Sequence, residues 1–313
     1  MDDKGRRKVV LEDFERVKAI PYDIPIVGYD PTGANFIITL RLWSAADDPQ
    51  NFLLHFYNEG DWGRALENLS ITNVLYPKDN HEKGKWLRLK QEYFLVSATV
   101  QDILRRFKNS GKSWDDFSNE VTIHINDTHP ALAIAEMQLI LTEDEGLEWS
   151  EAFEITRNSC AYTNHTILAE ALEKWDVRMF RTLLPRQYQV IEKLNHSFCQ
   201  AIRQRHPEDE PRVRRMSVIQ DGLLHMARLA IVGSYSVNGV AALHTSILKE
   251  RELKDFADFW PKKFLNITNG VTPRRWLLKC NPRLSNFISN RIGDRWVHDF
   301  REIQKLAEYA RDK

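Results

Sequence analysis

Side chains of the kind that hold sugar hydroxyls gather in four short stretches of otherwise apolar chain. They are Tyr76-Pro77-Lys78-Asp79-Asn80, Asn126-Asp127-Thr128-His129-Pro130, Tyr162-Thr163-Asn164-His165-Thr166 and Thr268-Asn269-Gly270. A sugar needs fixed donors and acceptors around its edge and an apolar surface under its ring carbons, and Asn, Asp, His, Thr and Tyr supply both. The same residue types build turns and helix caps, which is the commoner use of any one such cluster taken alone. Other chemistries find no foothold. The chain has no GxGxxG, no phosphate-binding P-loop, no G-x-S-x-G elbow and no HExxH pair. Cys160, Cys199 and Cys280 lie far apart without zinc-type spacing, so they read as reduced thiols and no metal site is expected.

The elements that position these clusters follow from periodicity. Phe36 to Trp43 alternates as a strand, and residues 19–35, with proline, glycine and aspartate at short intervals, read as an irregular connection. The clearest helix runs from about Trp86 to Phe107. Leu89, Tyr93, Val96, Val100, Ile103 and Phe107 fall on one face, and Arg105, Arg106 and Lys108 suit the negative end of its dipole. Val121 to Ile125 reads as a strand running straight into the 126–130 loop, after which Pro130 opens an apolar helix to about Leu141. A second long helix spans about Arg186 to Arg205. Ala230 to Ser234 reads as a buried strand feeding Asn238-Gly239, and Thr272-Pro273 precedes a helix through Trp276 and Leu278. Strand, polar loop, helix is the unit of a parallel α/β sheet, whose ligands bind where the strands end.

Composition narrows the class. The 313 residues are 42% hydrophobic and 28% charged, which is globular and long enough for one large domain or parts of two. Lysine plus arginine and aspartate plus glutamate number 44 each, so no general field draws nucleic acid or an acidic membrane, and neither is an expected partner. The first residues are too polar for a secretory signal and no apolar run approaches a membrane span, so a cytoplasmic location is expected. The five Asn-x-Ser/Thr sites, at Asn68, Asn126, Asn164, Asn195 and Asn266, then read as coincidence. The nine tryptophans suit sugar stacking but more often fill cores.

Longer segments carry a resemblance. LYPKDN at 75–80 with LRLKQEYF at 87–94, NDTHPALAI at 126–134, AYTNHT at 161–166 and TNGVTPRRW at 268–276 stand in the order and spacing of the glycogen/α-glucan phosphorylase family. The likeness runs from about Val10 to Ile303, so the chain resembles an internal portion of such an enzyme. The resemblance implies a fold of two Rossmann-like domains facing a cleft, the GT-B type of glycosyltransferase. Residues 1–268 would complete the N-terminal glucan-binding domain and 269–313 would begin the cofactor-binding domain. It implies phosphorolysis of terminal α-1,4 glucosyl units by inorganic phosphate, giving glucose 1-phosphate with retention, with pyridoxal phosphate as the cofactor. Glycogen or a related α-1,4-glucan would be the substrate, and the complete enzyme would be a homodimer with a contact near residues 63–75.

Residue roles follow by the same analogy. His165 and Asn269 would hydrogen-bond the 6-hydroxyl of the glucose being cleaved. Asp79 and Asn80 would lie in a mobile gating loop. Tyr76, Arg88, Asp127, His129, Thr166 and Glu170 would line the path of the remaining glucan. Val240 would pack near the sugar, and Trp276 would lie against the cofactor. Arg105 and Arg106 match a regulatory nucleotide's phosphate contact in animal members, beside their plainer role as helix caps. Some positions depart from the pattern. Ala135 and Ala169 stand where the family has proline, Leu139 near an expected arginine, and the segment at 219–224 is shorter and less acidic. The lysine that holds the cofactor is expected outside this chain, which on its own is expected to be inactive. Removing the general acid costs most of a rate effect of roughly 8 kcal/mol or more. The alternative reading is a non-catalytic glucan-binding or interaction module.

Overall fold

The computed structural model describes residues 14, 16–28, 37–45, 58, 60 and 62–311. They divide into two compact units, one of residues up to 20 together with 43–268, the other of residues 21–42 together with 269 onward. No described helix is long and apolar enough to cross a membrane.

Strands β1 (Ala19–Val27) and β2 (Ile37–Ala45) pair as a two-stranded ribbon. β1 corrects the irregular connection expected over 19–35, of which residues 29–35 lie outside the described set. Pro21 and Pro25 both fall within β1. Proline cannot serve a sheet interior, but every strand of a two-stranded ribbon has an open edge that needs no N–H. Arg41 grips Asp23 across the ribbon through two hydrogen bonds of 2.7 Å.

In the first unit, helix α1 (Trp62–Asn73) precedes α2 (Glu82–Asn109), which is capped by His81, whose Nδ1 accepts from the Gly84 amide at 3.0 Å. The expected stripe on α2 is the face that turns inward, with Leu89, Val96, Val100 and Phe107 buried and Tyr93 and Ile103 packed beside them. Strand β3 (Ile123–Asn126) leads through a turn at Pro130 into α3 (Leu132–Glu143). α3 is buried from Leu132 to Leu139 and at Leu141, mostly apolar as an enclosed helix must be. Its two enclosed polar residues, Glu136 and Gln138, are hydrogen-bonded to Ser97 and Gln187 and to the Trp149 carbonyl. It packs against α2, α4 (Trp149–Ser159) and α5 (Pro185–Arg205). Strand β4 (Cys160–Asn164) follows α4, and β5 (Lys174–Asp176) comes before α5. Strands β6 (Ile219–Gln220) and β7 (Leu223–His225) are joined by Asp221 and Gly222, both at positive φ, in the tight two-residue turn such a pair favours. β5, β7 and β6 make a small antiparallel sheet.

Helix α6 (Met226–Val232) overturns the strand expected over 230–234. A short apolar run fits a buried strand and a buried helix equally, and here Met226, Ala227, Leu229, Ala230, Ile231 and Val232 are all buried as helix. Gly233 ends it against α3, where a Cβ would strike the Ile134 side chain. The strand comes later, as β8 (Ser236–Gly239), and β9 (Phe264–Asn266) completes a four-stranded parallel sheet in the order β3-β4-β8-β9. Ile125, Tyr162, Val237 and Phe264 align as one buried row across it. One residue on, Asn126, Thr163 and Asn238 align with Leu265, so β3, β4 and β8 turn polar where they end.

In the second unit the expected helix after Thr272-Pro273 forms as a wide helical turn over Arg274–Lys279, with the Cys280 amide donating to the Arg275 carbonyl. Helix α7 (Pro282–Ile292) follows, and Trp296 is fully buried with its indole N–H on Ser289 Oγ.

Candidate active site at the strand ends

The carboxyl ends of β3, β4 and β8 present one connected set of polar groups. Asn164, buried at the end of β4, donates to the Tyr162 hydroxyl at 3.0 Å and accepts from the Thr166 amide at 3.1 Å. Its Oδ1 also meets His244 Nε2 at 3.1 Å, while His244 Nδ1 accepts from the Val240 amide at 3.1 Å. That amide fixes the tautomer, because Nδ1 must be bare to accept and Nε2 must carry the proton it gives to Asn164. The relay locks Thr166 and Val240 in place and turns His165 outward, where its Nε2 sits 2.7 Å from Asn126 Oδ1. Asp127 follows with φ of 65°, a conformation Asp tolerates, and its carboxylate accepts from the Thr128 amide at 2.7 Å.

A few residues further, Arg88 on α2 joins the loops together. Its guanidinium donates to Asp79 at 2.9 Å, to Glu92 at 3.3 Å and to Glu173 at 3.3 Å, and lies 3.2 Å from His129 Nδ1. His129 Nδ1 stands 3.5 Å from Glu173 and 3.7 Å from Glu92. Hydrogen bonds to Glu173 and Glu92 raise the His129 pKa to about 10, outweighing its partial burial. With the proton on, Nδ1 faces the carboxylates as donor; with it off, Nδ1 accepts from Arg88. The ordinary range of pH selects the first. Burial lifts Glu92 to about 8 despite His129 and Arg88, whereas Glu173 is buried too but is held below its ordinary value by hydrogen bonds from His129 and Glu92. The ligand atoms of Glu92, His129 and Glu173 lie within 4.8 Å of one another, a donor set that suits a cation. Arg88 already supplies that positive charge, so the trio reads as an ion-pair network.

A cleft of about 860 Å³ opens beside the network, lined by Asp79, Trp86, Arg88, His129, Glu170 and Trp175 among others. Of the sequence-derived residues, Asp79, Arg88, His129 and Glu170 line this cleft, and His165, Thr166, Asp127 and Val240 sit at the strand ends. Tyr76 is 96% exposed with φ of 50°, and Asn80 is exposed beside it. Asn269 and Trp276 belong to the second unit, where both are exposed. Reading the sequence for sites places Asn164 within the 162–166 cluster and misses Glu92, Glu173 and His244. Glu92 carries a signal, since it stands four residues after Arg88 on one helix face; Glu173 and His244 carry none, because only the fold brings them in. Arg105 and Arg106 both pair with Asp102, at 2.7 and 3.0 Å, near the C-terminal end of α2.

Comparison with known proteins gives one consistent set of relatives. A family model described as carbohydrate phosphorylase matches residues 1–313. Glycogen phosphorylase of Bacillus subtilis (strain 168) is 46% identical over 308 residues, covering 98% of this chain and 38% of that protein. The muscle form of glycogen phosphorylase from Bos taurus is 47% identical over 316 residues, covering 96% of this chain and 37% of that protein. Glycogen phosphorylase of Chlamydia pneumoniae is 43% identical over 318 residues, covering 99% and 38%. The chain therefore spans less than two-fifths of the length of these relatives.

Proposed function

Because the chain belongs to the carbohydrate phosphorylase family, we propose that it forms the glucan-binding wall of an α-1,4-glucan phosphorylase. The reaction would be phosphorolysis of terminal glucosyl units of glycogen or a related glucan to glucose 1-phosphate. The observation that carries this reading is the polar row at the strand ends joined, through Asp127 and His129, to the cleft at Arg88. A parallel sheet puts its ligand there.

In this reading Asn126 holds His165 by one ring nitrogen and leaves the rest of the imidazole for a sugar hydroxyl. Val240 stands against the ring carbons, fixed through His244. Asp79, Asn80, Arg88, His129 and Glu170, with Tyr76, receive the following glucose units. Asn269, in the second unit, keeps its assignment to a sugar hydroxyl from the family pattern alone. Residues 1–268 and 269–313 then belong to two Rossmann-like domains of the complete enzyme. α1 stands in the dimer contact of a homodimeric cytoplasmic enzyme. Pyridoxal phosphate belongs to the reaction, where it supplies a phosphate that moves protons. Of this chain's residues only Trp276 is assigned to it, and a 61% exposed indole is a stacking surface and not a phosphate site, so no step is derived through the cofactor.

The test is maltoheptaose binding by the folded chain, followed by calorimetry. Binding that weakens about three- to tenfold in His165→Ala, the worth of one sugar hydrogen bond, supports the wall. A folded chain that ignores the oligosaccharide overturns it. Glucose 1-phosphate release from glycogen, inorganic phosphate and added pyridoxal phosphate would assign the whole reaction to these residues. Binding without release is expected of both readings. Release regained when these residues stand within a complete phosphorylase supports the enzyme wall, and none regained supports the glucan-binding module, whose assigned sugar contacts nearly all gather in one unit.

A further inference from the structure

Glu92 and Glu173 have a role that no sugar contact explains. Their side chains are 9% and 8% exposed, and they come from two separate parts of the chain, α2 and the loop before β5. One oxygen of each, Oε1, faces Arg88 and His129. The other, Oε2, is buried in both residues without a hydrogen-bond partner. Two ionised carboxylates, with an oxygen of each within 4.8 Å of the other, would set two Oε1 acceptors against one guanidinium and one imidazole and leave two buried Oε2 acceptors with nothing, with like charges side by side. A proton held between them turns one acceptor into a donor and removes one negative charge.

We propose that Glu92 and Glu173 are positioning residues, a carboxyl pair that shares one proton and so holds Arg88 and His129 open to a glucan. With one charge between them, the pair anchors Arg88 and still leaves a guanidinium nitrogen on Asp79 in the 76–81 loop. When the second carboxyl ionises, the floor draws Arg88 and His129 inward and its added charge repels Asp79, so the loop and its sugar contacts loosen. Every charged group facing the pair enters this balance. Arg88 comes from α2 and Asp79, which it holds, from the loop before it, and His129 from the loop after β3. The Tyr162 hydroxyl on β4 is held neutral by burial, its pKa pushed beyond the usual range. The proposal rests on the glucan reading above and deepens it.

Two measurements on the full chain test it. The imidazole of His129, identified by its loss in His129→Gln, is titrated by NMR in the wild type and in Glu92→Gln, whose amide imitates the protonated carboxyl. Titration well above an ordinary histidine, shifted in E92Q, supports the shared network. An ordinary histidine titration in the folded wild type overturns it. Maltoheptaose affinity is then followed from pH 6 to 9.5. The expected result is a fall of about three- to tenfold on the alkaline side, the worth of one sugar contact, and loss of that step in E92Q. The same step in both proteins overturns the proposal. A high His129 titration with no oligosaccharide bound at any pH overturns the positioning role through failure of the glucan reading, and the two failures are thereby told apart.

Discussion

Gly239 shows how strictly single residues shape the strand ends. A Cβ there would lie far inside van der Waals contact with Thr245, whose hydroxyl donates to the Ala241 carbonyl at 2.9 Å. Gly239 is in an ordinary backbone region, so its requirement is for space and not for φ. Gly239→Ala should therefore push the first turn after β8 away from the sheet, costing about 1–3 kcal/mol of stability. Urea unfolding would show a lower midpoint with an unchanged slope. The same push moves Val240 and, through its amide, His244 and Asn164, so glucan binding should weaken with stability. A variant as stable as the wild type would show that the turn relaxes freely.

At the scale of elements, α2 is the part that ties loop to floor. Gly84 lies in its first turn so close to the Lys78 carbonyl that a Cβ would strike backbone, which cannot swing aside as a side chain can. Gly84→Ala is expected to lift the 76–81 loop from the helix and break the Asp79–Arg88 bond, lowering maltoheptaose affinity more than it lowers the melting temperature. Equal glucan affinity in G84A and wild type would mean that the loop does not contribute. Much of this framework was legible beforehand. The stripe on α2, the β3–loop–α3 unit and the long helix α5 all rest on local pattern, which periodicity reads well. β1 was hidden because its prolines mimic a loop, and α6 because six apolar residues have no period long enough to choose a helix. The site was legible in its loops, where His165 and Asp127 carry a family pattern. It was not legible in its floor, because Glu173 and His244 meet their partners only through long-range packing.

At the scale of the whole molecule, lysine plus arginine and aspartate plus glutamate cancel at 44 each, so general self-repulsion changes little near neutrality. The pH dependence of stability then falls to a few buried or partly buried groups that pull in opposite directions. Glu92 rises from an ordinary 4.5 to about 8, and His129 from 6.5 to about 10. Both bind protons more tightly folded than unfolded, so their contribution is present at low pH and is lost as pH climbs toward those values. Lys263 behaves oppositely. It is 7% exposed, with Nζ donating to the Ile231 carbonyl at 2.6 Å and lying 4.1 Å from the centre of the Trp260 ring. Burial first, and Arg157 second, lower its pKa from 10.5 to about 7. The unfolded chain therefore holds this proton through a window in which the folded chain has released it, and stability rises from about pH 7 toward 10. Chemical denaturation across pH should separate the two. Glu92→Gln is expected to flatten the loss between pH 5 and 8. Lys263→Met is expected to flatten the gain between 7 and 10, a term on the order of 2–4 kcal/mol for a shift of this size. A wild-type profile parallel to that of K263M over the alkaline window would mean that Lys263 stays charged where it is buried. The Ile231 carbonyl and the Trp260 ring would then be stabilising a full cation inside the fold.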